Sequence, residues 1–132
     1  MRSDRFRRAA ESKDFSEMEE LFSPGVVFRS PVVFKPYEGI DALRVLLSTV
    51  VAVFEDFRYA DQVETGDTAV LVFEARVGDR ELNGVDILHF GEDGLIDEMM
   101  VMVRPMSGMH ALAEEMARRL GVESPAPPSP AA

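Results

Sequence analysis

Between Phe57 and Arg104 the chain runs through four strand-like segments in close succession: FRYADQVE, TAVLVFEARV, LNGVDILHF and GLIDEMMVMVR. The breaks between them, TGD, VGDR and GEDG, carry the Gly and Asp that reversing turns use. Breaks this short cannot hold a crossover, so consecutive segments pair antiparallel. This meander constrains the fold more than any other feature. Its flanks are largely helical. Ser3 to Glu11 puts Phe6, Ala9 and Ala10 on one side, and KDFSEMEELF repeats Phe15, Met18, Leu21 and Phe22 at helical spacing until Pro24-Gly25 ends it. VVFRSPVVF reads as extended, interrupted by Pro31, and PYEG as a turn. GIDALRVLLSTVVAVFEDF is the longest and most apolar helix, with Asp41 near the positive end of its dipole. SGMHALAEEMARRLG closes the series as an amphipathic helix, with Ser107 the expected N-cap and Gly121 the expected stop. Helices and strands are segregated along the chain, which makes the class α+β.

Two of the strands are apolar on both faces. Asp86, Leu88 and Phe90 point one way and Val85, Ile87 and His89 the other; Met99, Val101 and Val103 oppose Met100 and Met102. An antiparallel sheet with one wet face alternates apolar and polar residues, and this one does not. One face has to cover helices or a cavity. The other needs a cover too, and the simplest is a second copy of the chain, giving a homodimer through an outer face that includes Ile87, His89, Met100 and Met102. Methionine-rich strips suit such contacts.

Composition removes several functional classes. A net charge of -10 in 132 residues argues against nucleic acid, which needs clustered basic side chains. The one cluster, Arg2, Arg5, Arg7 and Arg8, falls on a helix-compatible segment and reads as a solvated face. No apolar run approaches the roughly 20 residues that span a bilayer, so no membrane partner is expected. The chain has no cysteine, which excludes thiolate metal sites and disulfides and suits a cytoplasmic setting. Neither a His/Asp/Glu constellation with metal-ligand spacing nor a phosphate-cradling Gly-rich loop is present, so neither metal nor cofactor is expected. The last ten residues, ESPAPPSPAA, hold four prolines and read as a disordered tail over 123–132, leaving one domain over 1–122.

The segments LFSPGVVFRSP, YEGIDAL, VDILHFGEDGLIDEM and VRP, in that order, resemble the SnoaL-like group of the nuclear-transport-factor-2-like superfamily, which includes ketosteroid isomerases and polyketide cyclases. The resemblance spans the chain apart from the tail. It implies a cone-shaped α+β barrel: a curved antiparallel sheet wraps around the N-terminal and central helices and leaves an internal pocket, while the outer sheet face dimerises. Such folds host isomerases, cyclases, dehydratases, hydrolases and non-catalytic proteins, so residues have to supply the function. By comparison with ketosteroid isomerase, whose site pairs an aspartate base with a tyrosine and a protonated aspartate, DILHF places the oxyanion-hole aspartate at Asp86. The base position before a proline falls on Ser30, and ungapped counting puts Phe6 where the tyrosine stands. A serine hydroxyl is a very weak base and Phe6 has no proton to give, so steroid-type isomerisation is not expected.

Asp86 is nevertheless the candidate catalytic group. Among apolar neighbours its carboxyl is desolvated, which raises the pKa of an acid and suits it to donate a hydrogen bond or to work as an acid/base. The alternatives are ligand binding without turnover, and a structural carboxyl bonded to Ser30, Tyr37 or a backbone amide. Phe6, Phe28, Ser30, Tyr37, Leu88, Met99, Val101 and Val103 are the expected ligand-binding residues, and a small, mostly apolar molecule the expected partner. His89 is assigned to the outer face and His110 to the surface. Arg104 is expected in an ion pair in the sheet or at the dimer contact, and Glu74 and Arg76 in bridges to each other or to neighbours. An isomerase, cyclase or hydratase type of enzyme and a non-catalytic dimeric binding module both remain open.

Overall fold

The computed structural model describes residues 1–122; the stretch read as a tail, 123–132, lies outside the described residues. Helix α1 (Asp4–Ser12) and the short α2 (Phe15–Glu19) lead into β1 (Phe22–Arg29) and β2 (Tyr37–Glu38). Helix α3 (Ile40–Val53) follows, then β3 (Glu55–Thr65), β4 (Thr68–Val77), β5 (Arg80–Phe90) and β6 (Ile96–Arg104), and α4 (Met106–Leu120) ends the described chain. The strands form one sheet in the order β2-β1-β6-β5-β4-β3. The meander expected from the short turns is its larger part, and β1 joins its edge parallel to β6. The sheet is curved and unclosed, and the class is α+β. Helix α4 packs on β4, β5 and β6, α3 packs on α4 and β1, and α1 packs on β3. Among the described residues no helix is long and apolar enough to cross a membrane.

Several boundaries differ from expectation for local reasons. KDFSEMEELF does not stay helical: Asp14 caps α2 by accepting from the Glu17 amide at 3.1 Å, but the helix lasts five residues. Leu21 accepts a backbone bond from the Ile96 amide at 2.8 Å, and Phe22 already pairs with Ile96. Sheet pairing at the edge of β6 outcompetes the helical spacing. Pro24-Gly25 therefore lies inside β1, where the register with β6 shifts between Phe22 and Val27. Ser107 does not cap α4: the helix begins at Met106 directly after Pro105, and Ser107 sits inside its first turn. Gly121 does stop it, at φ 70°, with the Val122 amide bonding back to the Ala117 carbonyl at 3.0 Å.

Three of the four arginines of the cluster make contacts that seat the N-terminal segment, and Arg8 is exposed. Arg2 lies over the Phe90 ring at 4.8 Å and donates to the Gly66 carbonyl at 2.5 Å. Arg5 pairs with Glu17 at 2.5 Å, and Arg7 reaches Glu11, Gln62 and the Tyr59 carbonyl. Ser3, fully buried, donates to Glu64 at 2.8 Å and accepts from Gln62 at 2.7 Å, which fixes α1 on β3. On the sheet, Glu74 pairs with Arg58, and Arg76 with Glu55 and Asp56. Arg104 makes no ion pair among the described residues; it donates to the Asn83 side chain at 2.9 Å.

One close approach shapes the interior. Phe73 on β4 stands opposite Gly84 on β5, and a Cβ at Gly84 would lie 2.1 Å from Phe73 Cζ. The ring thus lies against the glycine backbone, and its neighbours Phe54, Phe57 and Tyr59 pack at centroid distances of 5.4, 5.1 and 6.3 Å. Gly84→Ala forces the ring out of its rotamer and disturbs all three. It is expected to lower unfolding free energy by roughly 1–3 kcal/mol, measured as a lower urea midpoint at unchanged slope.

Candidate functional site

The alternation of β5 decides which side chains turn inward. Leu82, Gly84, Asp86, Leu88 and Phe90 are buried, while Val85 and Ile87 are half-buried and His89 is exposed. A carboxylate is thereby delivered to the concave face between Leu71 of β4 and Val101 of β6. Asp86 keeps only 5% of its surface. Its side chain has one protein hydrogen bond among the described residues, from the Tyr59 hydroxyl to Oδ2 at 2.5 Å. No fully enclosed side-chain polar atom there lacks a partner, so the unbonded Oδ1 is the oxygen left facing open space.

Tyr59 is the only buried residue of β3. Register shifts flank it, between Glu55 and Arg58 and between Tyr59 and Asp61, and they bend the strand inward at this position. It stands opposite Phe73, which stands opposite Gly84, two residues from Asp86. The phenol therefore reaches diagonally across β4. A tyrosine has the length for this, and the bare backbone at Gly84 leaves room for the intervening Phe73 ring.

The two residues share the wall of an internal cavity of about 220 Å³. Aromatic rings from Phe6, Phe28, Tyr37, Phe54, Phe57 and Phe73 supply much of the lining, with aliphatic side chains from α3 and α4 opposite. Loop 30–36 forms part of the rim through Ser30, Pro31, Val32 and Val33, and the next residue, Phe34, is 99% exposed. Asp86 and Lys13 are the only charged side chains of the lining among the described residues.

Burial sets the electrostatics. It pushes the Asp86 carboxyl up to about 7, with the Tyr59 hydrogen bond pulling the other way. Tyr59 titrates well above the usual phenol range, first because it is buried and then because a charged Asp86 lies beside it. Tyr59 thus remains a proton donor through the neutral range. Asp86 near neutrality is present in both forms: protonated it can donate to a carbonyl, ionised it can accept a proton.

The expected site residues divide. Phe6, Phe28, Ser30, Tyr37, Met99 and Val101 line the cavity with Asp86. Leu88 and Val103 are absent from its wall. Leu88, between Ala69 and Met99 in the sheet, is wholly enclosed in the core, and Val103 stands beyond Gly84 and packs only partly buried. Neither Ser30 nor Tyr37 bonds Asp86; the Ser30 hydroxyl accepts from the Val32 amide at 2.9 Å, and the partner is Tyr59. The phenol therefore comes from β3, while Phe6 on α1 contributes only a ring 6.5 Å from it. The spacing of Phe57 and Tyr59, two apart on one strand beside Phe73, was the available signal. His89 bonds Asp97 at 2.6 Å on the outer side and His110 pairs with Glu114, both away from the cavity.

The SnoaL-like domain family matches residues 4–99. A solved structure described as a steroid delta-isomerase from Pseudomonas aeruginosa is 47% identical, with a TM-score of 0.84, covering 88% of this chain and 86% of that one. An uncharacterised protein with a cystatin-like fold from Silicibacter pomeroyi DSS-3 is 30% identical, with a TM-score of 0.87, covering 92% and 86%. An NTF2-like protein of unknown function from Mesorhizobium loti shares the fold at 22% identity and a TM-score of 0.70, covering 79% and 88%. No curated protein matches the sequence. An inward Asp86, a wall of rings under a curved sheet and a family match over most of the described chain lead to one assignment: the chain belongs to the SnoaL-like domain family, with the NTF2-like fold.

Proposed function

We propose that the protein binds a small, mostly apolar carbonyl compound in its cavity and that Asp86 acts on it as an acid/base or hydrogen-bond donor, in an isomerase, cyclase or hydratase type of reaction. The observation that carries this reading is Asp86 itself, a carboxyl held on one oxygen by Tyr59 with the other facing the cavity. In the ionised form Oδ1 takes a proton from the carbon next to the ligand carbonyl. The C–H electron pair moves into the new C=C bond, and the carbonyl oxygen becomes an enolate oxygen. The same carboxyl then returns the proton to a carbon of the extended enolate. Tyr59 keeps Oδ2 in place throughout. Ser30, whose oxygen is used as an acceptor but whose proton remains available, and Tyr37 would orient the substrate. The name of the 47% identical relative, a steroid delta-isomerase, favours this class of proton transfer against the expectation drawn from Ser30 and Phe6, with Asp86 as the base and Tyr59 as the phenol.

A second reading is a dimeric binding module without turnover, and the outer sheet face supports its dimer. Val70, Ile87 and Met100 form one row across β4, β5 and β6, and Val72, Val85 and Met102 form the next. These side chains are half-buried or exposed in the single chain, and Met102 is 49% exposed. Polar rows bound them, with Thr68, His89 and Glu98 on one side and Glu74, Asn83 and Arg104 on the other. A two-fold contact through this patch removes the apolar rows from water and leaves the charged ones at its rim. The dimer is compatible with either function. A cytoplasmic setting is proposed on the cysteine-free composition.

Four measurements test these readings. Asp86→Asn keeps an acceptor for Tyr59 but cannot exchange a proton, so ligand binding is expected to persist while turnover falls at least a hundredfold; full turnover would remove Asp86 as the acid/base. The same variant reports on stability. The folded carboxyl titrates near 7 against 3.8 unfolded, so the folded state holds the extra proton between those values. Wild-type stability is thus favoured at low pH and declines relative to Asp86→Asn as pH rises from about 4 to about 7, by roughly 4 kcal/mol at most. Tyr59→Phe removes the bond that lowers the Asp86 pKa, and carboxyl carbon NMR is expected to show the titration moving upward. For the dimer, sedimentation equilibrium is expected to give two chains for the wild type and one for Met100→Lys; a monomeric wild type would overturn it.

A further inference from the structure

Lys13 lies between α1 and α2, at φ 59°, with its side chain at the exposed end of the cavity. Its ammonium donates to the Phe54 carbonyl at 2.6 Å. It makes no ion pair among the described residues, although acidic groups surround it in sequence and space. Each of those is engaged elsewhere. Glu11 pairs with Arg7 and accepts from the Tyr59 amide, and Asp14 caps α2. Glu55 and Asp56, which follow Phe54, both bond Arg76. An ammonium has three donors and this one uses a single donor on protein. A chain with a net charge of -10 thus leaves Lys13 without an acidic partner in the wall of a mostly apolar cavity.

The two charged lining groups are held at different residues of the wall. Lys13 is attached through the Phe54 carbonyl, and Asp86 through the Tyr59 hydroxyl. Between Phe54 and Tyr59 lies Phe57, with ring centroids 5.5 Å from the first and 5.0 Å from the second. The two residues that hold the cation and the carboxyl are therefore joined by two ring-to-ring contacts through Phe57. Resting on the reading of the cavity as a ligand site at Asp86, we propose that its ligand is an amphipathic organic acid: an apolar body about two rings long lies along Phe54, Phe57 and Tyr59, an oxygen function meets Asp86, and a carboxylate at the opposite end is held by Lys13. The two unused ammonium protons supply charge-assisted bonds to that carboxylate. A purely structural Lys13, holding only the carbonyl at the end of α3, would have no preference for a charged ligand.

A matched pair of probes separates these roles. 2-Naphthylacetate and 2-naphthylacetamide share shape and size and differ in charge. Calorimetric titration of the full chain at about pH 6, where Asp86 is mostly protonated, is expected to give about tenfold tighter binding of the acetate, the size of one charge-assisted bond. Lys13→Met is expected to remove that preference while leaving acetamide affinity unchanged, and Lys13→Arg to retain it. Equal wild-type affinity for the two probes overturns the role of Lys13 and leaves the cavity reading intact, whatever the variants do. An equal loss of both probes in Lys13→Met, with both restored in Lys13→Arg, also overturns it, because a cation needed only to hold α3 acts on both alike. Binding of neither probe to the wild type overturns the cavity reading, and this proposal with it.

Discussion

The bond from the Tyr59 hydroxyl to Asp86 is the interaction around which the interior is arranged. A carboxyl with almost no exposure is costly to bury, and one strong partner is what makes the position tolerable. For the phenol to arrive, β3 bends at two irregularities, Phe73 lies flat, and β5 gives up a side chain at Gly84. The same bend turns Phe57 inward beside Tyr59. Ring wall, cavity and polar anchor therefore have one geometric origin, and disturbing any of them is felt by the others.

The anchor satisfies one carboxyl oxygen only. A structural aspartate would be expected to find partners for both, as Glu64 does in collecting Ser3 and Arg2. Asp86 instead has its second oxygen toward empty volume, in a setting where proton gain and loss are nearly balanced. Poise of that kind is what acid/base chemistry uses, and it costs stability as the group ionises. It is on this arrangement that the proposed acid/base role of Asp86 rests.

Much of the architecture was legible because it follows from local patterns. Alternation along VDILHF fixed which way Asp86 faces, short Gly/Asp turns fixed the meander, and Gly121 fixed the end of α4. What escaped depended on pairings between distant segments. Phe22 left the helical spacing of KDFSEMEELF because β6 offered it an edge, and Pro24-Gly25 became a bulge for the same reason. Tyr59 escaped because two register shifts decide its aim, and a register shift has no composition. The proposed role of Lys13 escaped because it depends on the nearby acids Glu11, Asp14, Glu55 and Asp56 each being engaged elsewhere, which only the folded chain shows.

Loop 30–36 brings apolar side chains to the rim while adding little to the interior: Val32 and Val33 are partly exposed, and Phe34 wholly so. The sheet, the ring wall and the Tyr59–Asp86 pair are built from other segments. Sequence change in this loop therefore alters the shape and chemistry of the rim before it alters whether the chain folds. Rim and fold can thus vary independently, one while the other is held constant.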